Sequence, residues 1–347
     1  MEIHPTGLPL RGHCVSFMIG KTDRVLEAPQ AITSRPLKSL PDYPGVMPKQ
    51  GLIREQTERI LDREVDLVVK AVPPGIVIVE GSFPFFDLEN DPLLEVSHEV
   101  LLVCRRILSE FGCHSEFDEE YTVYCISDYQ GDPEVFLTLH GDRIAALLKD
   151  ERMALDEEEI RATLQVNLKY SKDDLTIVDW DGAFLFDPKG DFASNIELFQ
   201  TANLQLLRSR ILDNLLDSRL QQMVHLLRRT RERRLLRSGE LRKVLREIIE
   251  IRTTSLLESE AVDQNIKLIG DWYSARLYGL ISKKLHLEDW NRNITEKLDV
   301  LEDVYTMATE NFSMSATQTL EFILIGGWFL LQLGWFTLLF LELFYLK

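Results

Sequence analysis

The chain has 347 residues, of which 45% are hydrophobic and 27% charged, so it can bury one or two cores and is not a disordered tether. Its 39 basic and 56 acidic residues give a formal charge of −17, which argues against a protein that coats nucleic acid over its whole surface. Four cysteines without C-x-x-C spacing are typical of reduced thiols in a cytoplasm-like compartment rather than of a disulfide framework.

Residues 1–50 contain seven prolines, which predict an irregular N-terminal segment with at most one strand, over residues 13–19. The first residues show neither the apolar core of a secretory signal nor an amphipathic transit peptide. We therefore expect the N-terminal part to stay in the cytoplasm.

Residues 51–189 predict a mixed α+β domain with a largely antiparallel sheet. A polar run over 51–63 favours a helix. The elements after it are predicted as strands over 65–72, 76–79, 121–126 and 164–170 and as helices over 92–111 and 142–149. The clearest element is a β-hairpin over 175–186, where Asp181 and Gly182 form the pair favoured by a two-residue type I′ turn.

Residues 190–318 predict long amphipathic helices of a bundle or coiled-coil type, because leucines and isoleucines recur there every three or four residues. Four helices are expected, with apolar positions beginning near residues 204, 241, 262 and 287. Nothing strong ends the fourth helix, so we expect it to continue into the C-terminal segment, with a kink near 311–315 as an option.

Residues 319–347 form a predicted C-terminal transmembrane anchor. The 20 residues from Phe322 to Leu341 carry no charge, and at a rise of about 1.5 Å each they would span roughly 30 Å, the thickness of the hydrocarbon core. Thirteen of them are Leu, Ile or Phe, which favour insertion by about −4 to −8 kcal/mol in total. Gly327 and Gly334 share one helix face and could pack against another helix, so a homo-oligomer is expected.

No residue pattern indicates catalysis, a cofactor or a metal. Asp179, Asp181, Asp187 and Asp191 crowd around the hairpin, but they lack the glycine and glutamate positions of an EF-hand loop. They are better interpreted as turn-forming residues. The sequence also lacks G-x-S-x-G, H-E-x-x-H and a phosphate-binding loop. We predict a non-enzymatic protein, with an enzyme of unknown reaction in the soluble domain as an alternative.

One strongly basic stretch, residues 226–246, has nine bases against two acids within this acidic chain. The bases are Arg228, Arg229, Arg231, Arg233, Arg234, Arg237, Arg242, Lys243 and Arg246. They could form a solvated helix tip that complements the helix dipole, or a site for an anionic partner, either RNA or lipid headgroups. No aromatic side chain lies among them, so contacts with RNA would be made to phosphates.

The helical half of the chain resembles the required-for-meiotic-nuclear-division family, a membrane-anchored domain of unknown function. The residues that carry the likeness are Trp272, Leu277-Tyr278, Arg292-Asn293, Lys297-Leu298 and Leu320-Glu321-Phe322. The resemblance implies an anchored, self-associating scaffold, and mitochondrial members of that family sit in the inner membrane and support organellar translation. Because a transit peptide is lacking, a bacterial inner membrane is favoured over the mitochondrial one.

A second membrane family offers an alternative. CorA-type divalent-cation channels also combine an α/β domain, a long helix and a C-terminal membrane part, but they need a second span and a Gly-Met-Asn loop, which this sequence lacks. The sequence therefore favours a tail-anchored oligomeric scaffold with a cytoplasmic α+β domain. Its partner could be a macromolecule such as RNA or a ribosome-like particle.

Overall fold

A computed structural model describes residues 10–24, 26, 30–31, 50–113, 116–229, 246, 249, 253 and 272–345. The strands are β1 Gly12–Lys21, β2 Gln30–Ala31, β3 Gly51–Ile60, β4 Arg63–Val72, β5 Ile76–Phe85, β6 Asp118–Ile126, β7 Asn167–Leu168, β8 Leu175–Val178 and β9 Gly182–Phe186. The helices are α1 Leu93–Glu110, α2 Glu134–Leu148, α3 Glu157–Gln165, α4 Ala193–Arg229, α5 Trp272–Lys284 and α6 Leu287–Tyr345. The predicted α+β class is confirmed.

The nine strands form a single sheet in the order β2-β3-β4-β5-β1-β6-β9-β8-β7. Every neighbouring pair is antiparallel except β6 and β9, which run parallel. The chain between those two strands contains α2, α3, β7 and β8, and it supplies the crossover that a parallel pair needs.

Strand β1 lies in the middle of this sheet, although the sequence placed residues 1–50 outside the folded domain. It pairs with β5 on one side and with β6 on the other. Residues 14–20 are all buried, because helices cover both faces of the sheet at this strand. A strand buried on both faces has a nearly continuous apolar sequence rather than an alternating one. The sheet therefore begins at Gly12 rather than near residue 51.

Two apolar layers cover the sheet. On one face, Val96, Val100 and Cys104 of α1 recur at four-residue spacing and pack with α2 against buried side chains of the strands. On the other face, α4 and α5 pack against the strands through residues such as Phe199 and Leu277. The sheet is thus enclosed between two layers of helices.

The predicted helix over 51–63 is wrong, because Gly51–Ile60 forms strand β3. Leu, Arg, Glu and Gln in this run do favour helices, but such propensities differ by less than about 1 kcal/mol per residue, and pairing with β4 along the strand outweighs them. Elsewhere, α2 begins at Glu134 rather than near 142. The strand expected over 164–170 is shorter than predicted, because residues 164 and 165 still belong to α3 and only Asn167–Leu168 forms a strand, β7.

The predicted β-hairpin is confirmed, but its turn is of another kind. The Asp179 N–H donates to the Gly182 carbonyl at 2.8 Å, so Trp180 and Asp181 are the central residues, and neither has the positive φ of a type I′ turn. Gly182 serves packing instead. A Cβ atom there would lie 2.9 Å from the Thr122 carbonyl oxygen of β6, so glycine allows β9 to approach β6 closely.

Helix α6 spans 59 residues, from Leu287 to Tyr345, and confirms that the fourth predicted helix continues into the apolar segment. Its backbone stays helical through 311–315. The chain forms two compact units, Met1–Asp213 with Leu256–Asn293 and Asn214–Ser255 with Ile294–Lys347. Within the second unit, Lys297 Nζ lies 2.7 Å from Asp217 Oδ1, joining α6 to the C-terminal part of α4.

Glu119 of β6 forms an ion pair whose carboxylate is buried. Its side chain is 9% exposed, and Oε1 lies 2.6 Å from Nη1 of Arg210 in α4. Burial raises the pKa of Glu119 from 4.5 to about 7, even though Arg210 acts in the opposite direction. The folded protein therefore binds this proton more tightly than the unfolded chain does.

We predict that Glu119 makes stability fall with rising pH. Its contribution is greatest below the unfolded pKa near 4.5 and declines as the pH rises to about 7. Relative to Glu119→Gln, the free energy of unfolding should therefore drop by about 3 kcal/mol between pH 4.5 and pH 8. Urea unfolding of both proteins in detergent at several pH values measures this difference. A constant difference across that range would contradict the assignment.

Candidate functional site

Asp179 lies in the turn between β8 and β9, at one end of the sheet, and its side chain is only 4% exposed. Its Oδ1 atom is 2.6 Å from Nζ of Lys284, the last residue of α5, and accepts the Trp180 N–H at 2.8 Å. Its Oδ2 atom is 3.5 Å from Nζ of Lys149, directly after α2, which is an ion pair but not a good hydrogen bond. One carboxylate thus binds a lysine from each helical layer.

Further charges and a buried hydroxyl fix this arrangement. Glu159 of α3 lies 2.7 Å from Lys149 and raises the pKa of that lysine, which keeps it cationic. The Tyr121 hydroxyl is within hydrogen-bond distance of the carbonyls of Asp179 and Gly182, at 2.9 and 2.8 Å. The turn is therefore held through its backbone as well as through the Asp179 side chain.

The same turn adjoins the start of α6. Leu285 and His286 connect α5 to α6, and the ring of His286 lies 6.2 Å from the ring of Trp180. His286 has a φ of +52°, a left-handed conformation that non-glycine residues rarely adopt. Leu285 and Leu287 on either side of it are buried, which holds the connection in place.

We call Lys149, Asp179, Lys284 and His286 the Asp179 junction. It joins the sheet to both helical layers and to the first turn of α6. Asp181 beside it has a raised pKa, because its carboxyl group is partly desolvated and lies near the carboxylates of Asp179 and Asp150. Since two lysines already neutralise Asp179, the arrangement suits a structural connection better than a cation site.

The structure does not gather the aspartates of the hairpin region into a metal site. Asp187 accepts the Lys189 N–H at 2.8 Å, as expected of a turn-forming residue. Among the described ranges, no group of three or more His, Cys, Asp or Glu residues could hold a metal ion. The prediction that the protein uses no metal or cofactor stays untested.

Most of the basic stretch lies outside the described residues. Arg228 and Arg229 are the last described residues of helix α4, and Arg246 is also described. The other six bases, Arg231, Arg233, Arg234, Arg237, Arg242 and Lys243, lie outside the described residues. The anionic-partner site therefore stays a prediction.

Gly327 and Gly334 both lie in the apolar part of α6. A Cβ atom added at either position would meet nothing within 4 Å, so both glycines face open space in the single chain. Helix packing through them also stays a prediction.

Sequence reasoning recognised Asp179 as a turn residue but missed its two lysines. Lys149 and Lys284 lie 30 and 105 positions away along the chain, and each stands at the C-terminal end of a helix. No local pattern connects such distant charges. The only indication of this site in the sequence was an acidic residue between two apolar strand segments.

Comparison with known proteins finds similarity to proteins of unknown function. Residues 25–193 match the family model described as "Uncharacterized protein MJ0711, N-terminal domain". This part of the chain is similar to an uncharacterized domain family. Over 304 residues the chain is also 26% identical to uncharacterized protein MJ0711 of Methanocaldococcus jannaschii, which covers 88% of this chain and 90% of that protein. No solved structure matches.

The longer alignment extends beyond residues 25–193, so the likeness to MJ0711 includes part of the helical half as well as the α+β domain. Neither match names the meiotic-nuclear-division family. That resemblance stays an expectation.

We predict that Asp179→Asn destabilises the α+β domain. The substitution keeps the side-chain size but leaves two lysines facing a neutral amide, and breaking a buried ion pair in this way costs about 3 kcal/mol. The midpoint of urea unfolding, followed by tryptophan fluorescence in detergent, measures the loss.

Asp62→Asn is the matched control for this substitution, because Asp62 forms an ion pair with Arg59 whose side chains are 94% and 73% exposed. It should change stability little, since exposed pairs contribute little. Equal effects of the two substitutions would show that Asp179 has no special structural role.

Proposed function

We propose that this protein is a non-enzymatic, membrane-anchored scaffold that self-associates and presents its α+β domain to a macromolecular partner. The observation that carries the proposal is helix α6. It begins at the Asp179 junction and includes Glu321–Glu342, a 22-residue segment long and apolar enough to cross a membrane.

The exposure of this segment supports a membrane span over a core helix. A core helix of similar composition would be mostly buried, whereas 0% of the window in Glu321–Glu342 is buried. Exposing so many large apolar side chains to water would be strongly unfavourable, and a bilayer removes that cost. The bacterial inner membrane is our preferred location, and the mitochondrial inner membrane is the alternative.

The wider role follows from less direct observations. The likeness of residues 190–347 to an anchored family supports a scaffold that self-associates through its helices and span, with Gly327 and Gly334 as packing positions. The excess of nine bases over two acids in residues 226–246 supports an anionic partner, either RNA or the lipid headgroups.

We predict that Leu330→Arg with Leu333→Arg releases the full-length protein from membranes. Each arginine near the middle of the span disfavours insertion by about 2.5 to 3.5 kcal/mol, and together they offset most of the apolar gain. Resistance to carbonate extraction and flotation with vesicles measure anchoring. The control is Leu139→Arg, at an exposed position of α2. Retention of the double variant in carbonate-washed membranes would contradict the proposal.

We predict that Arg233→Glu with Arg234→Glu weakens binding to the anionic partner. Reversing two charges lowers the charge of the basic stretch by four, which should reduce phosphate contacts and the salt dependence of binding. Binding of the detergent-solubilised protein to single-stranded RNA and to vesicles with anionic lipid separates the two partners. If the variant binds both as tightly as the wild type does, the basic stretch is only a solvated helix tip.

A further inference from the structure

Strand β3 has a long edge that no described strand covers. It pairs with β4 from Gly51 to Ile60 on one side, whereas on the other side β2 reaches only Gly51 and Leu52. A register irregularity between Leu52 and Arg54 separates the covered end from the rest. From Arg54 to Ile60, this edge therefore presents backbone N–H and C=O groups without a strand partner among the described residues.

Four of the seven residues along this edge are charged, as is usual for an edge strand, but charges can also favour one specific partner. Segment 54–60 contains no proline or lysine, and its charges are of both signs. Two of those charges, of opposite sign, lie at equal distances from Thr57. Glu55 lies two positions before Thr57 and Arg59 two positions after it, and all three are exposed on the same face of the strand.

We propose that β3 pairs antiparallel with β3 of a second copy of this chain, with Thr57 opposite Thr57 of the partner subunit. In this register Glu55 lies opposite Arg59 of the partner subunit, and Arg59 lies opposite Glu55 of the partner subunit. Opposite charges at directly facing positions stabilise an antiparallel pair. The contact uses the same surface on both copies, as a two-fold axis requires.

The charge pattern selects this register over its neighbours. Because a two-fold axis relates facing residues of the same face, the alternatives shift by two residues, and each of them loses both Glu55–Arg59 pairs. One alternative places Arg54 opposite Glu58 of the partner subunit, but Glu110 and Arg106 already pair with these two residues. On the opposite face of the strand, Gln56 would lie opposite Glu58 of the partner subunit. Gln56 already donates to Glu58 of its own chain at 3.0 Å, and Arg106 of α1 pairs with that carboxylate at 2.9 Å, so this face is neutralised and adds no repulsion. The exposed face with Glu55, Thr57 and Arg59 is therefore self-complementary in this register.

The arginine is available for this contact. Arg59 now pairs with Asp62 at 3.0 Å, but both side chains are largely exposed, so exchanging that partner loses little. Its neighbours Thr57 and Glu55 are exposed as well.

A seven-residue edge contact is small for a stable dimer in free solution. Anchoring both copies in one membrane would raise their effective concentration, so the strength of this pairing rests on the proposed function. The resulting assembly would extend the sheet across two subunits.

Disulfide trapping tests the register directly. Facing residues of an antiparallel pair have Cα atoms about 4.5 to 5.5 Å apart, within the range that a disulfide spans. Full-length Thr57→Cys, reconstituted in phosphatidylcholine vesicles and oxidised with copper phenanthroline, should give a covalent dimer. The control is Glu64→Cys on β4, an exposed residue of an interior strand, which should stay monomeric.

Charge reversal in the Thr57→Cys background tests the cross-strand pairs. Glu55→Arg alone and Arg59→Glu alone should each lower dimer formation about tenfold, because two facing pairs change from attraction to repulsion. Mixing the two variants restores opposite charges at both positions. The mixture should therefore recover dimers to the wild-type level, which also shows that both variants are folded.

Three results would overturn the pairing: no cross-linking of Thr57→Cys, equal cross-linking of Glu64→Cys, or no effect of the charge reversals. Flotation of the same vesicles reports anchoring separately. Protein that floats but does not cross-link contradicts the edge pairing and leaves the proposed function standing. Protein that fails to float contradicts the anchor instead, and cross-linking after detergent solubilisation at high concentration then decides the pairing.

Discussion

The organisation of the α+β domain depends on one buried carboxylate. A buried charge is several kcal/mol unfavourable unless it is paired, so Asp179 requires cationic partners at the end of the sheet. Lys149 and Lys284 provide them from opposite helical layers. The ends of α2 and α5 are therefore tied to the turn between β8 and β9, and only two residues separate the second lysine from the start of α6.

This interaction links the fold to the proposed anchor. The sheet supplies a firm base, because β1 is buried at its centre and Gly182 lets β9 pack closely against β6. Tyr121 connects β6 to the turn through two backbone carbonyls. The helix that carries the apolar segment therefore starts from a fully packed part of the domain rather than from a loose linker. A scaffold that presents a folded domain at a membrane needs such an attachment.

Local patterns predicted the elements that local physics determines. Helix α1, the hairpin and the long α6 follow from apolar spacing and from an uninterrupted apolar segment, which neighbouring residues alone specify. Strand β3 was missed because its polar residues favour a helix locally. Only pairing with β4, which the local pattern does not show, makes this segment a strand. The central position of β1 and the lysines of the Asp179 junction were missed because both depend on contacts between distant parts of the chain.

Hydrogen exchange of the wild-type protein in lipid nanodiscs tests the central claim most directly. If the Asp179 junction holds the start of α6, amides of α5 and of residues 290–293, the first hydrogen-bonded amides of α6, should open with nearly the same free energy as those of β8 and β9, as parts of one cooperative unit. If α5 and the first turn of α6 open more than about 2 kcal/mol more easily than the hairpin, the junction does not secure the helix and the account is contradicted.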